Sequence, residues 1–160
     1  MASGRLRVSA EDFRVDEVLG FEPEGDGEHV FLHLEKRELN TQQLAQRISS
    51  LSGIHPRDIS FSGMKDRNAV TRQWFSVRMA GKAEPDWREL EGGDVSLLSA
   101  GRHRRKLKRG VHRANTFRLV GRDVEGDKER IEQRLRQLRD TGAPNYFGEQ
   151  RFGRAGATLD

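Results

Sequence analysis

The sequence has no cysteine and no long apolar run. Without cysteine, the chain can form neither a disulfide bond nor a thiolate centre. Its apolar segments fall far short of the roughly 20 residues that cross a bilayer. The first residues, MASGRLRVSAEDF, also lack the apolar core of a secretory signal. We therefore expect a cytoplasmic protein without a membrane segment, and its 160 residues suffice for one domain with a hydrophobic core.

The common motifs of metal and cofactor chemistry are absent as well. The sequence contains no HExxH zinc motif, no phosphate-binding Walker loop and no GxSxG nucleophile motif. Its five histidines are scattered, and no two of them have the spacing of a zinc site on one helix. We interpret the histidines as structural residues, and the sequence predicts no metal site.

Charge is abundant and unevenly distributed along the chain. The chain has 29 Lys and Arg and 25 Asp and Glu, and the charged residues within 10–38 are mostly acidic. The segment 101–113, GRHRRKLKRGVHR, holds seven Lys or Arg and two His. Such a basic segment attracts a polyanion, although an isolated run is more often a solvated charged surface. The candidate nucleic-acid-binding residues in it are Arg102, Arg104, Arg105, Lys106, Lys108 and Arg109.

Apolar periodicity predicts five strands and two helices. The strands lie at residues 11–21, 29–36, 70–79, 95–101 and 115–124, and the helices at residues 40–54 and 127–142. We expect the first two strands to form a hairpin. The third strand has bulky apolar residues on both faces, which predicts a central position. The order β-β-α-β-β-β-α predicts an α+β fold, in which helices pack on one face of a mixed or antiparallel sheet.

The ends of both helices carry recognisable signals. Asn40 or Thr41 can cap the first helix, and Gly53 ends it. Asp127 caps the second helix, and Gly142 ends it. The apolar stripes consist of Leu44, Ile48 and Leu51 in the first helix and of Ile131, Leu135 and Leu138 in the second.

The segment FSGMKDRNAVTRQWFSV (61–77) places one carboxylate between two cations just before a strand. If the heads of Lys65 and Arg67 come near Asp66, they favour its charged form. An ionised aspartate can act as a nucleophile towards an activated sugar carbon or as a general base. The alternative, favoured on spacing alone, is a turn residue that follows Gly63.

The segment NYFGEQRFG (145–153) combines aromatic rings, side-chain amides and glycines. Its aromatic rings offer flat faces on which a base can stack, and Asn145 and Gln150 offer paired hydrogen bonds. An aromatic corner of the core is an equally good explanation by itself. Together, however, a lone aspartate, a base-stacking loop and a basic segment fit chemistry on a nucleoside within RNA, because such an enzyme must extract and hold the base.

Two segments resemble the signatures of the tRNA pseudouridine synthase D (TruD) family. FSGMKDRNAVTRQW resembles the first signature, which runs as a small residue, Gly, any residue and Lys-Asp, followed by Ala-Val-Thr and Gln-Trp. PNYFGEQRFGR resembles the second signature. The segments EDFRVDEVLGFEPEGDGEH, NTQQLA, RHRRKLKRG and NTFRLV also have counterparts in the same order. The resemblance therefore covers nearly the whole chain.

The resemblance implies an isomerase that converts uridine to pseudouridine, typically at position 13 of tRNA, without cofactor or metal. Asp66 matches the catalytic aspartate, which attacks the sugar of a flipped nucleotide or assists a glycal route. Phe147 matches the aromatic residue that stacks on the target base, and Asn145 matches its polar partner. Arg7 matches a basic residue near the aspartate, and Lys65 is a supporting residue expected to contact the substrate.

Members of this family continue well beyond the second signature. We therefore expect residues 1–160 to be the N-terminal portion of a pseudouridine synthase catalytic domain, without the family's insertion domain and C-terminal part. Activity of the chain alone is then doubtful. The expected partner is transfer RNA, and the expected full-length state is a monomer. The alternative is a non-catalytic RNA-binding module that uses the basic segment.

Overall fold

The computed structural model describes residues 2–143, which divide into two compact units. The larger unit is Gly4–Asp123 and the smaller one contains the chain on either side of it. The strands are β1 (Ser3–Leu6), β2 (Phe13–Val18), β3 (His29–Arg37), β4 (Ile59–Phe61), β5 (Val70–Arg78), β6 (Val95–His103), β7 (Ala114–Leu119) and β8 (Gly121–Glu125). The helices are α1 (Thr41–Ser52) and α2 (Lys128–Thr141).

A six-stranded mixed sheet forms the larger unit. Its strand order is β6-β3-β5-β2-β7, and β4 pairs additionally with β5. β2 runs parallel to β5, and the other pairings of this sheet are antiparallel. The predicted α+β fold and the predicted central position of the strand at 70–79 are confirmed.

The predicted hairpin between the first two long strands is wrong, because β5 lies between β2 and β3. β5 is buried along almost its whole length. A position between β2 and β3 gives its backbone groups partners on both sides. The predicted strand at 115–124 is also two strands, β7 and β8, and Val120 between them donates its N–H to the Asp12 carbonyl at 2.8 Å.

Helix α1 begins and ends as predicted. The Asn40 side chain accepts a hydrogen bond from the Gln43 N–H at 2.8 Å, and the Gln43 side chain accepts one from the Asn40 N–H at 3.2 Å. Gly53 ends the helix in the left-handed region, with φ 63°. Leu44 and Ile48 are fully buried against one face of the sheet.

The sheet carries apolar side chains on both faces, because alternate residues of β3 and β5 point in opposite directions. On the face that packs on α1 lie Val30, Leu32, Leu34, Phe75 and Val77. On the opposite face a smaller cluster contains Leu19, Phe31, Trp74 and Leu107, and the His33 ring stacks on Trp74 at 4.4 Å between centroids.

Helix α2 belongs to the smaller unit. The Asp127 side chain accepts a hydrogen bond from the Arg130 N–H at 3.1 Å, and Gly142 follows the last turn, as predicted. The predicted apolar stripe does not form a core within residues 124–143, since Leu135 is 60% exposed.

A buried carboxylate anchors the start of β2. The Asp12 side chain accepts hydrogen bonds from the Ser9 N–H at 3.0 Å and from the Arg122 guanidinium at 2.8 Å. Hydrogen bonding to Arg122 lowers the pKa of Asp12 from 3.8 to about 2.

This lowered pKa makes stability sensitive to acid. Because the folded pKa lies below the unfolded value, the contribution of Asp12 is complete above pH 3.8 and disappears as the pH falls towards about 2. In urea titrations of the chain, we expect Asp12→Asn to be less stable than the unaltered protein near neutral pH. The gap should close between about pH 4 and pH 2. Arg122→Gln should show the same closing gap, and a constant gap in both variants would contradict the assignment.

Candidate active site

The loop between β4 and β5, residues 62–69, carries Asp66. A buried chain of polar groups lies beneath it. The Gln73 amide nitrogen donates to the Gly63 carbonyl at 2.5 Å, and its oxygen accepts from the Thr41 hydroxyl at 3.0 Å. The Thr41 hydroxyl also accepts a hydrogen bond from the backbone N–H of Lys65 at 3.0 Å. Gln73 and Thr41 are fully buried, so the first half of the loop is fixed to β5 and to the start of α1.

Lys36 supports the loop from β3. Its ammonium donates to the Asp66 carbonyl at 3.0 Å and to the Leu39 carbonyl at 2.6 Å. The side chain is fully buried, and this desolvation lowers the pKa of Lys36 to about 8. The charge of Asp66 opposes that shift, while the charge of Lys65 adds to it.

Asp66 itself is exposed. Within residues 2–143, no hydrogen bond or ion pair engages its carboxylate, whereas its own carbonyl is held by Lys36. The site therefore combines a carboxylate that is open to solvent with a backbone that is fixed from below. Such a carboxylate is free to approach an electrophilic carbon of a bound molecule.

Lys65 does not flank Asp66 as a local counter-ion. Its ammonium lies 2.6 Å from the Glu17 carboxylate, and the two side chains are 5% and 0% exposed. The other carboxylate oxygen of Glu17 accepts a hydrogen bond from the backbone N–H of Trp74 at 3.2 Å. Lys65 thus ties the loop to β2, and within residues 2–143 its ammonium forms no ion pair with Asp66. Its proposed contact with a substrate stays a prediction.

Arg7 lies over the start of β2. Its guanidinium lies over the Phe13 ring, 3.9 Å from the centroid. Phe13 packs with Ala69 in a small buried cluster, because the parallel pairing of β2 with β5 aligns Arg14 with Val70. The exposed Arg7 therefore stands near the end of the loop that carries Asp66, and its role stays a prediction.

A second polar chain joins the basic segment to the start of the loop. The Ser62 hydroxyl lies 2.5 Å from His112 Nδ1. It also accepts a hydrogen bond from the backbone N–H of His112 at 2.9 Å. His112 Nε2 lies 3.1 Å from the Asn115 amide nitrogen. The Gly110 N–H donates to the Ser62 carbonyl at 2.7 Å. These contacts hold His112 against the start of the loop, and its interpretation as a structural residue stays a prediction.

Two members of the basic segment form ion pairs with carboxylates elsewhere in the chain. The Arg102 guanidinium donates to the Glu84 carboxylate at 2.5 Å and to the Gly27 carbonyl at 3.2 Å. The Arg104 guanidinium binds both oxygens of Asp26, with the shortest contact at 2.9 Å. These ion pairs reduce the charge that either residue presents to a polyanion.

The other part of the basic segment faces a groove of about 600 Å³. Lys106, Lys108 and Arg109 are exposed and line one side of it, and α1 contributes the opposite wall. The Arg109 guanidinium lies over the Phe61 ring at 5.1 Å, and the Lys106 ammonium donates to the Arg57 carbonyl at 3.2 Å. Within residues 2–143, no carboxylate pairs with these cations. Arg105 is also exposed.

The remaining predicted residues of the site, Asn145 and Phe147, lie outside the described residues. Among residues 2–143, no group of three His, Cys, Asp or Glu side chains is arranged to hold a metal ion. In the same part of the chain, no helix has the length and apolar character needed to cross a bilayer.

Glu17, Lys36 and Thr41 are the site residues that sequence reasoning missed. Glu17 and Lys36 occupy inward positions of strands whose other inward residues are apolar, such as Val15 and Leu34. A charged residue at such a position is rarely buried without a partner. That break in the apolar pattern is the signal that could have identified both residues.

The chain is similar to known proteins along almost its whole length. The family model described as "tRNA pseudouridine synthase D (TruD)" matches residues 2–158. The tRNA pseudouridine synthase D of Methylococcus capsulatus is 56% identical over 156 residues, which are 98% of this chain and 44% of that protein. Its counterpart in Pseudomonas syringae pv. tomato is 50% identical over 154 residues, 96% of this chain and 44% of that protein.

A solved structure shares the fold. The crystal structure assigned to a tRNA pseudouridine synthase D of Methanosarcina mazei superimposes with a TM-score of 0.80 at 31% sequence identity. The match covers 95% of this chain and 36% of that chain. The chain thus spans less than half the length of these relatives. Because the family model matches almost every residue, the chain belongs to the tRNA pseudouridine synthase D family.

Proposed function

We propose that this chain carries the catalytic aspartate of a pseudouridine synthase, which isomerises uridine in transfer RNA, at position 13, without a cofactor. One observation carries the proposal. The family's first signature places Asp66 on a loop whose backbone is held by buried groups while its carboxylate is exposed. A fixed backbone with an accessible functional group is the arrangement that positions a reactant for attack.

The isomerisation exchanges one bond of the sugar for another. The C1′–N1 glycosidic bond breaks, uracil rotates in the site, and C1′ bonds to C5 of the same base. The C5 proton is lost, N1 gains a proton, and atoms therefore balance without a redox partner. Asp66 either attacks C1′ and is later displaced by C5, or removes a sugar proton on a glycal route. Both roles require an ionised and accessible carboxylate.

The base has to leave its stack before Asp66 can reach C1′. Phe147 is proposed to stack on the flipped uracil, and Asn145 is proposed to orient the base or the aspartate. Arg7 is an exposed cation at the start of β2. It is proposed to bind a phosphate next to the flipped nucleotide. We further propose a cytoplasmic location, which follows from a tRNA substrate, and a monomeric full-length protein.

Mapping of pseudouridine in unmodified tRNA transcripts tests the proposal. Two proteins are compared: the 160-residue chain, and the same chain followed by the part of the Methylococcus capsulatus relative that lies beyond the match, here called the joined protein. We expect pseudouridine at position 13 from the joined protein and little or none from the chain alone. Absence of pseudouridine from a folded, RNA-binding joined protein would refute the proposed function.

The groove beside α1 favours a second candidate function, a non-catalytic RNA-binding module. Lys106, Lys108 and Arg109 project from one wall of a groove that also contains the Phe61 ring. In nucleic-acid-binding proteins, cations commonly contact the phosphate backbone and a neighbouring aromatic ring stacks on a base. This function needs neither Asp66 nor isomerisation, so pseudouridine mapping separates the two candidates.

Salt dependence of tRNA binding tests the groove. We expect the triple variant Lys106→Gln, Lys108→Gln and Arg109→Gln to bind more weakly, because each cation that contacts a phosphate releases counterions. The slope of log affinity against log salt concentration should become shallower by about 2 to 3. The matched control is Arg102→Gln with Arg104→Gln, whose cations are already paired with carboxylates and should change the slope little. Equal changes in both variants would contradict this division.

A further inference from the structure

A fully buried lysine lies near the end of β3. Lys36 follows Val30, Leu32 and Leu34 on the face of β3 that packs in the main core, and it is 0% exposed. Transfer of an ammonium group from water into such surroundings is costly unless polar groups replace the lost hydration. A buried charge in this position therefore requires a partner that explains it.

The partners of Lys36 are backbone carbonyls rather than a carboxylate. Within residues 2–143, Lys36 makes no ion pair, and its ammonium donates to the carbonyls of Leu39 and Asp66 at 2.6 and 3.0 Å. Leu39 belongs to the short connection between β3 and α1, and Asp66 belongs to the loop before β5. Lys36 thus joins two irregular segments of the chain. Their contacting residues, Leu39 and Asp66, are 27 positions apart (66 − 39).

The contact with Asp66 restrains the backbone from which its side chain projects. The other anchors hold earlier residues of the loop, since Gln73 binds Gly63 and Thr41 binds Lys65. Among the described residues, Lys36 alone hydrogen-bonds to the backbone of residue 66. A hydrogen bond to this carbonyl restrains its peptide plane and, through the shared Cα, the direction of the Cα–Cβ bond from which the carboxylate extends.

We propose that Lys36 is the positioning residue for Asp66: its buried ammonium holds the Asp66 carbonyl so that the carboxylate is presented to the substrate sugar. This inference deepens the proposed function and rests on it. Lys36 touches neither the substrate nor the reacting atoms, and it acts through Asp66 alone. Its loss should therefore slow the chemical step and leave RNA binding intact.

The first test compares Lys36→Met with Lys82→Met in the joined protein. Methionine fills a similar space without a donor. Lys82 is a matched control because its ammonium also donates to a backbone carbonyl, that of Gly53 at 3.0 Å, but it is exposed. We expect Lys36→Met to lower kcat by about tenfold to a hundredfold, because a small displacement of a reacting group has that effect. The KM for tRNA should stay within about twofold, and Lys82→Met should change neither constant.

The second test needs no catalysis and uses the 160-residue chain. Hydrogen exchange is followed at the amides of Lys65 and Ala69, which donate to Thr41 and to the Arg67 carbonyl. In Lys36→Met we expect these amides to exchange at least about tenfold faster, while the Phe75 amide in β5 keeps its rate. If the unaltered joined protein is inactive, the proposed function fails, and this exchange experiment still decides whether Lys36 orders the loop.

A third measurement uses the unaltered chain and avoids any failure of a variant to fold. As the pH rises through about 8, Lys36 loses its charge, and the charges that face it are those of Asp66 and Lys65. Protection of the Lys65 and Ala69 amides, relative to Phe75, should then decrease because a neutral amine is a weaker donor. Unchanged relative protection, a kcat within twofold in Lys36→Met, or faster exchange throughout β3 and β5 would overturn the proposal.

Discussion

Replacement of Asp66 by asparagine should lower the rate of pseudouridine formation by the joined protein at least about a thousandfold. The amide has the size of the carboxylate but is neither a nucleophile nor a base. Because the Asp66 side chain is exposed and makes no hydrogen bond within residues 2–143, the substitution should change the free energy of unfolding by less than about 0.5 kcal/mol. Single-turnover rates on tRNA transcripts provide the measurement, together with the dissociation constant for the same RNA.

The matched control for this prediction is Asp58→Asn. Asp58 is a partly exposed aspartate in the turn before β4, so the substitution removes the same charge from a neighbouring part of the surface. Its rate and its RNA affinity should equal those of the unaltered protein. An Asp66→Asn protein that retains more than a tenth of the rate would show that another group performs the chemistry.

Replacement of Lys65 by methionine should destabilise the chain by about 3 to 5 kcal/mol. The Lys65 ammonium lies 2.6 Å from Glu17, and both side chains are buried. Removal of one partner leaves the Glu17 carboxylate in the interior without a counter-ion, while only one of its oxygens accepts a hydrogen bond, from Trp74. The free energy of unfolding in urea, measured on the 160-residue chain near neutral pH, tests this value.

Two further variants separate the buried charge from simple loss of a contact. Glu17→Gln combined with Lys65→Met should recover much of the stability, because an amide oxygen can still accept the Trp74 N–H and no unpaired charge remains. Arg47→Met removes a partner from the exposed pair with Asp94, at 2.7 Å, and should cost less than about 1 kcal/mol. A cost for Lys65→Met as small as that for Arg47→Met would show that the Glu17 pair is not effectively buried.

Local signals in the sequence predicted the elements well but not all of their pairings. Asn40 and Gly53 delimit α1 because capping depends on residues next to each other in the chain. The central position of β5 followed from the bulky groups on both of its faces, of which Trp74 and Phe75 are examples. The order of β2, β3 and β5 was predicted wrongly, since a short connection favours a hairpin on local grounds and only the assembled sheet decides otherwise.

The sequence likewise predicted only part of the candidate site. The signature identified the loop of Asp66, and Gln73, which lies within the same segment, holds the Gly63 carbonyl of that loop. Lys65 pairs with Glu17 and not with the adjacent Asp66, because adjacency in sequence says little about where a long side chain ends. The contacts of Lys65 with Glu17 and of Lys36 with Asp66 join residues that are far apart in the chain, and no periodicity reveals such a pair.

The anchors of the Asp66 loop come from four separate elements. Glu17 lies on β2, Lys36 on β3, Thr41 at the start of α1 and Gln73 on β5. Glu17, Lys36 and Thr41 are at least 20 residues from the loop in the chain and reach it only when the strands have paired, so the loop cannot acquire its geometry in a partly assembled chain. During refolding of the joined protein, recovery of the proposed pseudouridine formation should therefore coincide with formation of the whole sheet, and during heating this rate should be lost together with global unfolding and not before it.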